Sequence, residues 1–61
     1  MPYELIAIMQ HGREIIVAQG YNPTAVRDDE RKICHDPRAV KRIELRDASG
    51  CLEALWDADW R

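Results

Sequence analysis

Three neighbours, Cys34-His35-Asp36, carry the residue types of a nucleophile, a base and an orienting acid. Their spacing argues against that chemistry, because a triad needs converging side chains and adjacent helical residues point apart. The segment reads as a helix end with a half-buried cysteine and a polar last turn. Cys34, Cys51, His11 and His35 could together offer four zinc ligands. No two of them have the close Cys-x-x-Cys or His-x-x-x-His spacing that makes such a site, so no metal is expected. Acids cluster at Asp28-Asp29-Glu30 and again at Asp57 and Asp59. Acid–base catalysis needs a carboxyl whose pKa is shifted by burial or a neighbour, whereas adjacent acids on a helix mostly face solvent. Gly12, Gly20 and Gly50 stand alone, so no phosphate-cradling loop is present. The chain is expected to be no enzyme and to need no cofactor.

What remains is the chemistry of contact. Trp56 and Trp60 lie four residues apart with acids between them, and an extended strand would put both on one face. Trp56 is expected in the core. Trp60 is read either as a cap on its edge or as an anchor for a partner, since tryptophan is enriched at hot spots. Arg38, Lys41, Arg42 and Arg46 form a basic cluster, but Glu44 and Asp47 interrupt it. With nine basic against eleven acidic residues the net charge is -2, which is not the footprint of a duplex binder.

The elements that must carry these residues follow from pattern. Leu5-Ile6-Ala7-Ile8-Met9 and Ile15-Ile16-Val17-Ala18 are β-rich runs separated by His11-Gly12, a hairpin signal. A two-residue His11-Gly12 loop would set Ile8 opposite Ile15 and Ile6 opposite Val17 on one face. Leu5, Ala7, Met9, Ile16 and Ala18 would fill the other. A strand apolar on both faces is interior to its sheet, or has one face covered and one offered to a partner. The first face, with Ile15, is expected under a helix and the second is expected to be open.

Asn22 is a good N-cap and Pro23 suits the first helical position, so a helix is expected from Thr24 to His35. Val26, Asp29, Glu30 and Ile33 share its inner side, which makes the apolar stripe narrow. Asp36-Pro37 ends it, because proline pushes its predecessor out of the α region. Asn22-Pro23 and Asp36-Pro37 look like two similar chain corners. Lys41 to Arg46 alternates as a strand, Asp47-Ala48-Ser49-Gly50 is a turn, and a final strand runs to Trp56. Two registers compete. A three-residue loop pairs Asp47 with Cys51 and puts Trp56 on the face of Arg42. A two-residue loop pairs Leu45 with Leu52 and Ile43 with Ala54, sends Trp56 to the core, and is preferred on hydrophobic matching.

The expected fold is α+β: ββαββ, a four-stranded mainly antiparallel sheet with one helix packed on one face. Sixty-one residues make a single domain that buries only about 60% of its unfolded surface, so it leans on a partner or is marginally stable. The start Met1-Pro2-Tyr3-Glu4 has no basic leader region, and Leu5 to Met9 is too short to span a membrane. Cytoplasmic residence is expected, with Cys34 and Cys51 reduced and a disulfide between them as the alternative.

An order of ββαββ at this size, with Pro23–Asp36 as the helix, Asp36-Pro37 leading into Lys41–Arg46 and the Arg46-Asp47-Ala48-Ser49-Gly50 turn, resembles small proteins of phages and other mobile elements. Anti-CRISPR proteins are among them. The resemblance covers most of the chain and is one of architecture. It implies an inhibitor that occupies a partner's surface and transfers no functional residue, since those proteins share no signature. The residues expected to meet a protein partner, or a second copy of the chain, are Leu5, Met9, Ile16, Arg42, Arg46 and Trp60. The alternatives are a structural homodimer and a weak nucleic-acid binder using the basic strand from Arg38 to Arg46; no membrane partner is expected.

Overall fold

The computed structural model describes residues 2–33 and 35–59, so Cys34 and Trp60 lie outside the described residues. The chain runs β1 (Tyr3–Met9), β2 (Glu14–Gly20), α1 (Pro23–Asp28), a single 3-10 turn (Asp29–Lys32), β3 (Val40–Asp47) and β4 (Gly50–Asp57). The strands form one sheet in the order β2-β1-β3-β4, each neighbouring pair antiparallel. The strand that reads as apolar on both sides, β1, is interior. The fold is α+β, with one helix on one face.

The helix is shorter than its composition suggests. Asn22 caps it as expected, its Oδ1 accepting from the Thr24 N–H at 3.0 Å and the Ala25 N–H at 3.4 Å. Val26 is its one buried residue, and six residues give a stripe only one side chain wide. With so little apolar surface to hold it, the α-helix tightens at Asp29 into the 3-10 turn, and Ile33 is already extended. Gly20 lets this short element sit close: a Cβ there would meet Val26 Cγ2 at 3.3 Å.

The core is Leu5, Val26, Val40, Ile43 and Leu45, with Tyr3, Met9, Ala18, Ile33, Leu55 and Trp56 packed around it. The two faces of β1 are therefore the reverse of the expectation. Leu5 is fully buried beneath the helix, and Ala7 lies on that side too. Leu5 and Met9 are withdrawn from the expected contact surface. The reason lies in the first hairpin. Met9 N–H donates to the Arg13 carbonyl and Gly12 N–H to the Met9 carbonyl, both at 2.8 Å, so the loop takes four residues rather than two. Ile15 then pairs with Ala7 and Ile16 with Ile6. Val17 is an extra residue in β2, and beyond it the expected pairing of Leu5 with Ala18 is recovered. Because side chains alternate, the one-residue slip leaves Ile15 on the helix side but sets it beside Ala7 instead of Ile8, so β1 alone turns over.

In the second hairpin the two-residue loop is the one found, with Asp47 opposite Gly50 and Arg46 opposite Cys51. Gly50 supplies a φ of +119°, which non-glycine residues rarely adopt. Two bulges follow, at Leu52 and Leu55, so Leu45 meets Glu53 and not Leu52, and Ile43 meets Trp56 and not Ala54. Trp56 still reaches the core side. The two Asx-Pro corners are built alike: Asp36 Oδ1 accepts from the Arg38 N–H as Asn22 Oδ1 does from Thr24.

Candidate protein-binding surface

The ladder pairs arrange the sheet in cross-strand rows. On the covered side run Ala18–Leu5–Leu45–Glu53 and Ile15–Ala7–Ile43–Trp56. Glu53 is tied to the helix by an ion pair with Arg27 at 3.0 Å. On the other side run Gln19–Glu4–Arg46–Cys51, Ile16–Ile6–Glu44–Ala54 and Glu14–Ile8–Arg42–Asp57. Among the described residues no second layer covers these three rows. The face is an apolar strip of Ile16, Ile6 and Ile8 crossed by a chain of charges.

That chain is specific in its geometry. Arg46 grips Glu14 with two hydrogen bonds, Nη1 to Oε1 at 3.0 Å and Nη2 to Oε2 at 2.8 Å, the bidentate form that fixes both side chains. Its Nε donates to Glu44 Oε1 at 2.8 Å. Arg42 Nε stands 2.9 Å from Glu44 Oε2, though its N–H is not aimed for a hydrogen bond, so that contact is coulombic. Glu44 keeps only 7% of its surface exposed, which two flanking guanidinium groups make tolerable. The Glu14 carboxylate, hydrogen-bonded by Arg46, is held below the ordinary glutamate range, and Glu14 and Glu44 together hold Arg46 more firmly charged. The three rows contain two arginines against Glu4, Glu14, Glu44 and Asp57, so this face is acidic on balance.

Of the residues expected to meet a partner, Ile16, Arg42 and Arg46 are brought together here. Leu5 and Met9 are not, and Trp60 lies outside the description. Ile6, Ile8 and Glu44 were missed by sequence reasoning. Glu44 carried a signal, since a carboxylate between arginines at i−2 and i+2 on a strand shares their face.

The outer edge of the sheet adds a second exposed feature. Ile15, Ile16 and Val17 on β2 are 41%, 54% and 43% exposed, three consecutive apolar residues on an edge strand. Completing the burial of each is worth about 1 kcal/mol. Ile15 is on the helix side but at its margin, so it is not the buried residue that the expected register made it.

Of the Cys-His-Asp neighbours, Cys34 lies outside the described residues, and His35 and Asp36 turn to different partners. His35 Nε2 lies 3.0 Å from Glu30 Oε1 and its ring stacks on Trp56, with centroids 5.1 Å apart and an interplanar angle of 27°. Asp36 turns to the Arg38 backbone and side chain instead. No group of three or more His, Cys, Asp or Glu residues is placed to hold a metal among the described residues. No helix there is long and apolar enough to cross a membrane. No family model, curated protein or solved structure matches the chain.

Proposed function

We propose that the chain is a small non-enzymatic protein-binding module that acts by occupying a partner's surface with its open sheet face. The observation that carries this reading is an uncovered apolar strip, with Ile16 exposed, Ile8 half-buried and Ile6 buried between neighbouring side chains, and an ordered ion-pair chain beside it. Interfaces draw their affinity from a few desolvated anchors and their orientation from charges around them. Ile16 and Ile8 supply the anchor, and Glu4, Glu14 and Asp57 the charged rim. Arg46 is already clamped by Glu14 and Glu44, so little of its side-chain entropy is lost when a partner covers it. The complementary surface is an apolar centre with a basic rim. An inhibitor of the phage type, working in the cytoplasm by blocking such a surface, is the form of this activity that the architectural resemblance implies.

Nucleic acid is the less favoured partner, because the two arginines on this face are neutralised and the face is acidic on balance. Ile16→Asp is the direct test. The position is more than half exposed, so the fold should survive while capture of the protein partner is lost. Capture unchanged by Ile16→Asp, or abolished by nuclease treatment, would remove the reading.

A further inference from the structure

We propose that β2 pairs edge to edge with β2 of a second copy, about a two-fold axis between Ile16 and Val17, joining the two sheets into one. This goes beyond the partner-binding reading, since it uses the edge of the sheet and not its open face.

The two edges of the sheet differ in how they are guarded. Natural edges avoid pairing by means of bulges, charges and short length. β4 has two bulges and presents Glu53 and Asp57. β2 is seven residues long, has one bulge, and bears a single charge, Glu14, which Arg46 already neutralises. Nothing on this edge repels a copy of itself. Three consecutive residues of it, Ile15 to Val17, stay about half exposed in the monomer.

The bulge also sets the register. Before it, Glu14 and Ile16 lie on the open side and Ile15 on the helix side. After it, Ala18 is on the helix side and Gln19 on the open side. In an unbroken strand, a two-fold axis between two adjacent residues would pair opposite faces. The extra residue Val17 cancels that mismatch. Ile15 of one copy then meets Ala18 of the other on the helix side, and Glu14 meets Gln19 on the open side. The second pair is complementary, a carboxylate facing an amide that can donate to it, and symmetry supplies it twice.

Sedimentation of the native chain across a wide concentration range tests this. A monomer–dimer equilibrium is expected. Ile15→Lys, on the helix side and away from the open face, should raise the dissociation constant at least about tenfold, because an unpaired charge would be carried into the joint. Leu52→Lys, equally exposed but on the β4 edge, should leave it unchanged. The register is read by charge: Gln19→Glu sets two carboxylates together and weakens the dimer, while Gln19→Lys strengthens it. Amide exchange on the native chain gives a readout that needs no variant, with protection rising with concentration along Ile15–Ala18 but not along Gly50–Asp57. A chain monomeric at every concentration overturns the proposal and leaves the edge to a foreign strand. So does a dimer broken by Leu52→Lys, or one indifferent to the sign of the charge at Gln19. Loss of the dimer in Ile15→Lys with partner capture intact would separate this joint from the binding face.

Discussion

Removing Glu44 should cost more than any other single surface-side change on the sheet. Glu44→Ala leaves Arg42 and Arg46 on one face of β3 with no carboxylate between them. Breaking a fully buried pair typically costs about 3–5 kcal/mol, because the surviving charge stays desolvated. Here the arginine side chains are 39% and 25% exposed, and Arg46 keeps Glu14 as a partner. Solvent and Glu14 together reduce the loss to about 2 kcal/mol. A domain of this size has about 3–9 kcal/mol of stability in all. The expected fall in Tm is about 8–16 °C, read by far-ultraviolet circular dichroism, with the urea midpoint falling and the slope unchanged. Glu44→Gln should lie between, since the amide keeps one acceptor but turns donors toward an arginine. Most of the Glu44→Ala difference should persist in high salt, because a buried pair is weakly screened. A shift under about 2 °C in Glu44→Ala would refute the reasoning that this carboxylate holds the face together.

Leu5→Ala should destabilise by about 3 kcal/mol, enough to leave much of the chain unfolded at 37 °C, whereas Ile16→Ala should cost well under half of that; equal losses in a chemical-denaturation series would contradict the assignment of faces. Asn22→Ala should cost about 1 kcal/mol through loss of the cap, and an unchanged urea midpoint would show that the six-residue helix does not depend on it. Glu14, Asp36 and Asp47 all have pKa values depressed in the folded chain, by hydrogen bonds from Arg46, from Arg38 and from Ser49. Depressed carboxyls bind protons more weakly folded than unfolded, so their stabilisation is complete above the unfolded value near about 4 and is lost as pH falls through the folded values. Urea midpoints should be level from about pH 7 to 5 and drop below about pH 4, and a midpoint that rises on acidification would contradict those pairings.

The order of elements was legible in the sequence because each is marked by a local device: Asn22-Pro23 at the helix start, Asp36-Pro37 after it, Asp47 to Gly50 at the second turn. The interior place of β1 followed from its unbroken apolar run. Side assignment failed where it depended on counting residues. Gln10 and Arg13 carry no turn signature, yet they enlarge the first loop, as the Met9–Arg13 hydrogen bond shows. The bulges at Val17, Leu52 and Leu55 fall in apolar stretches where an extra residue leaves the hydrophobic pattern almost unchanged. The helix was over-extended for a related reason. Asp28 to Lys32 has good helical composition, but one buried valine cannot hold a longer α-helix against the sheet. Of the open face, Ile16, Arg42 and Arg46 could be read from alternation, while Ile6 and Ile8 depended on the register that was missed.

The central claim is that the open sheet face binds a protein. It is tested most directly by capture from the native host on three immobilised chains: wild type, Ile8→Asp and Ile16→Asp, each shown to be folded by circular dichroism. The account predicts that the wild type retains a specific protein, with a basic rim around its contact site, and that both variants lose it. Retention of the same protein by all three folded chains would contradict the claim.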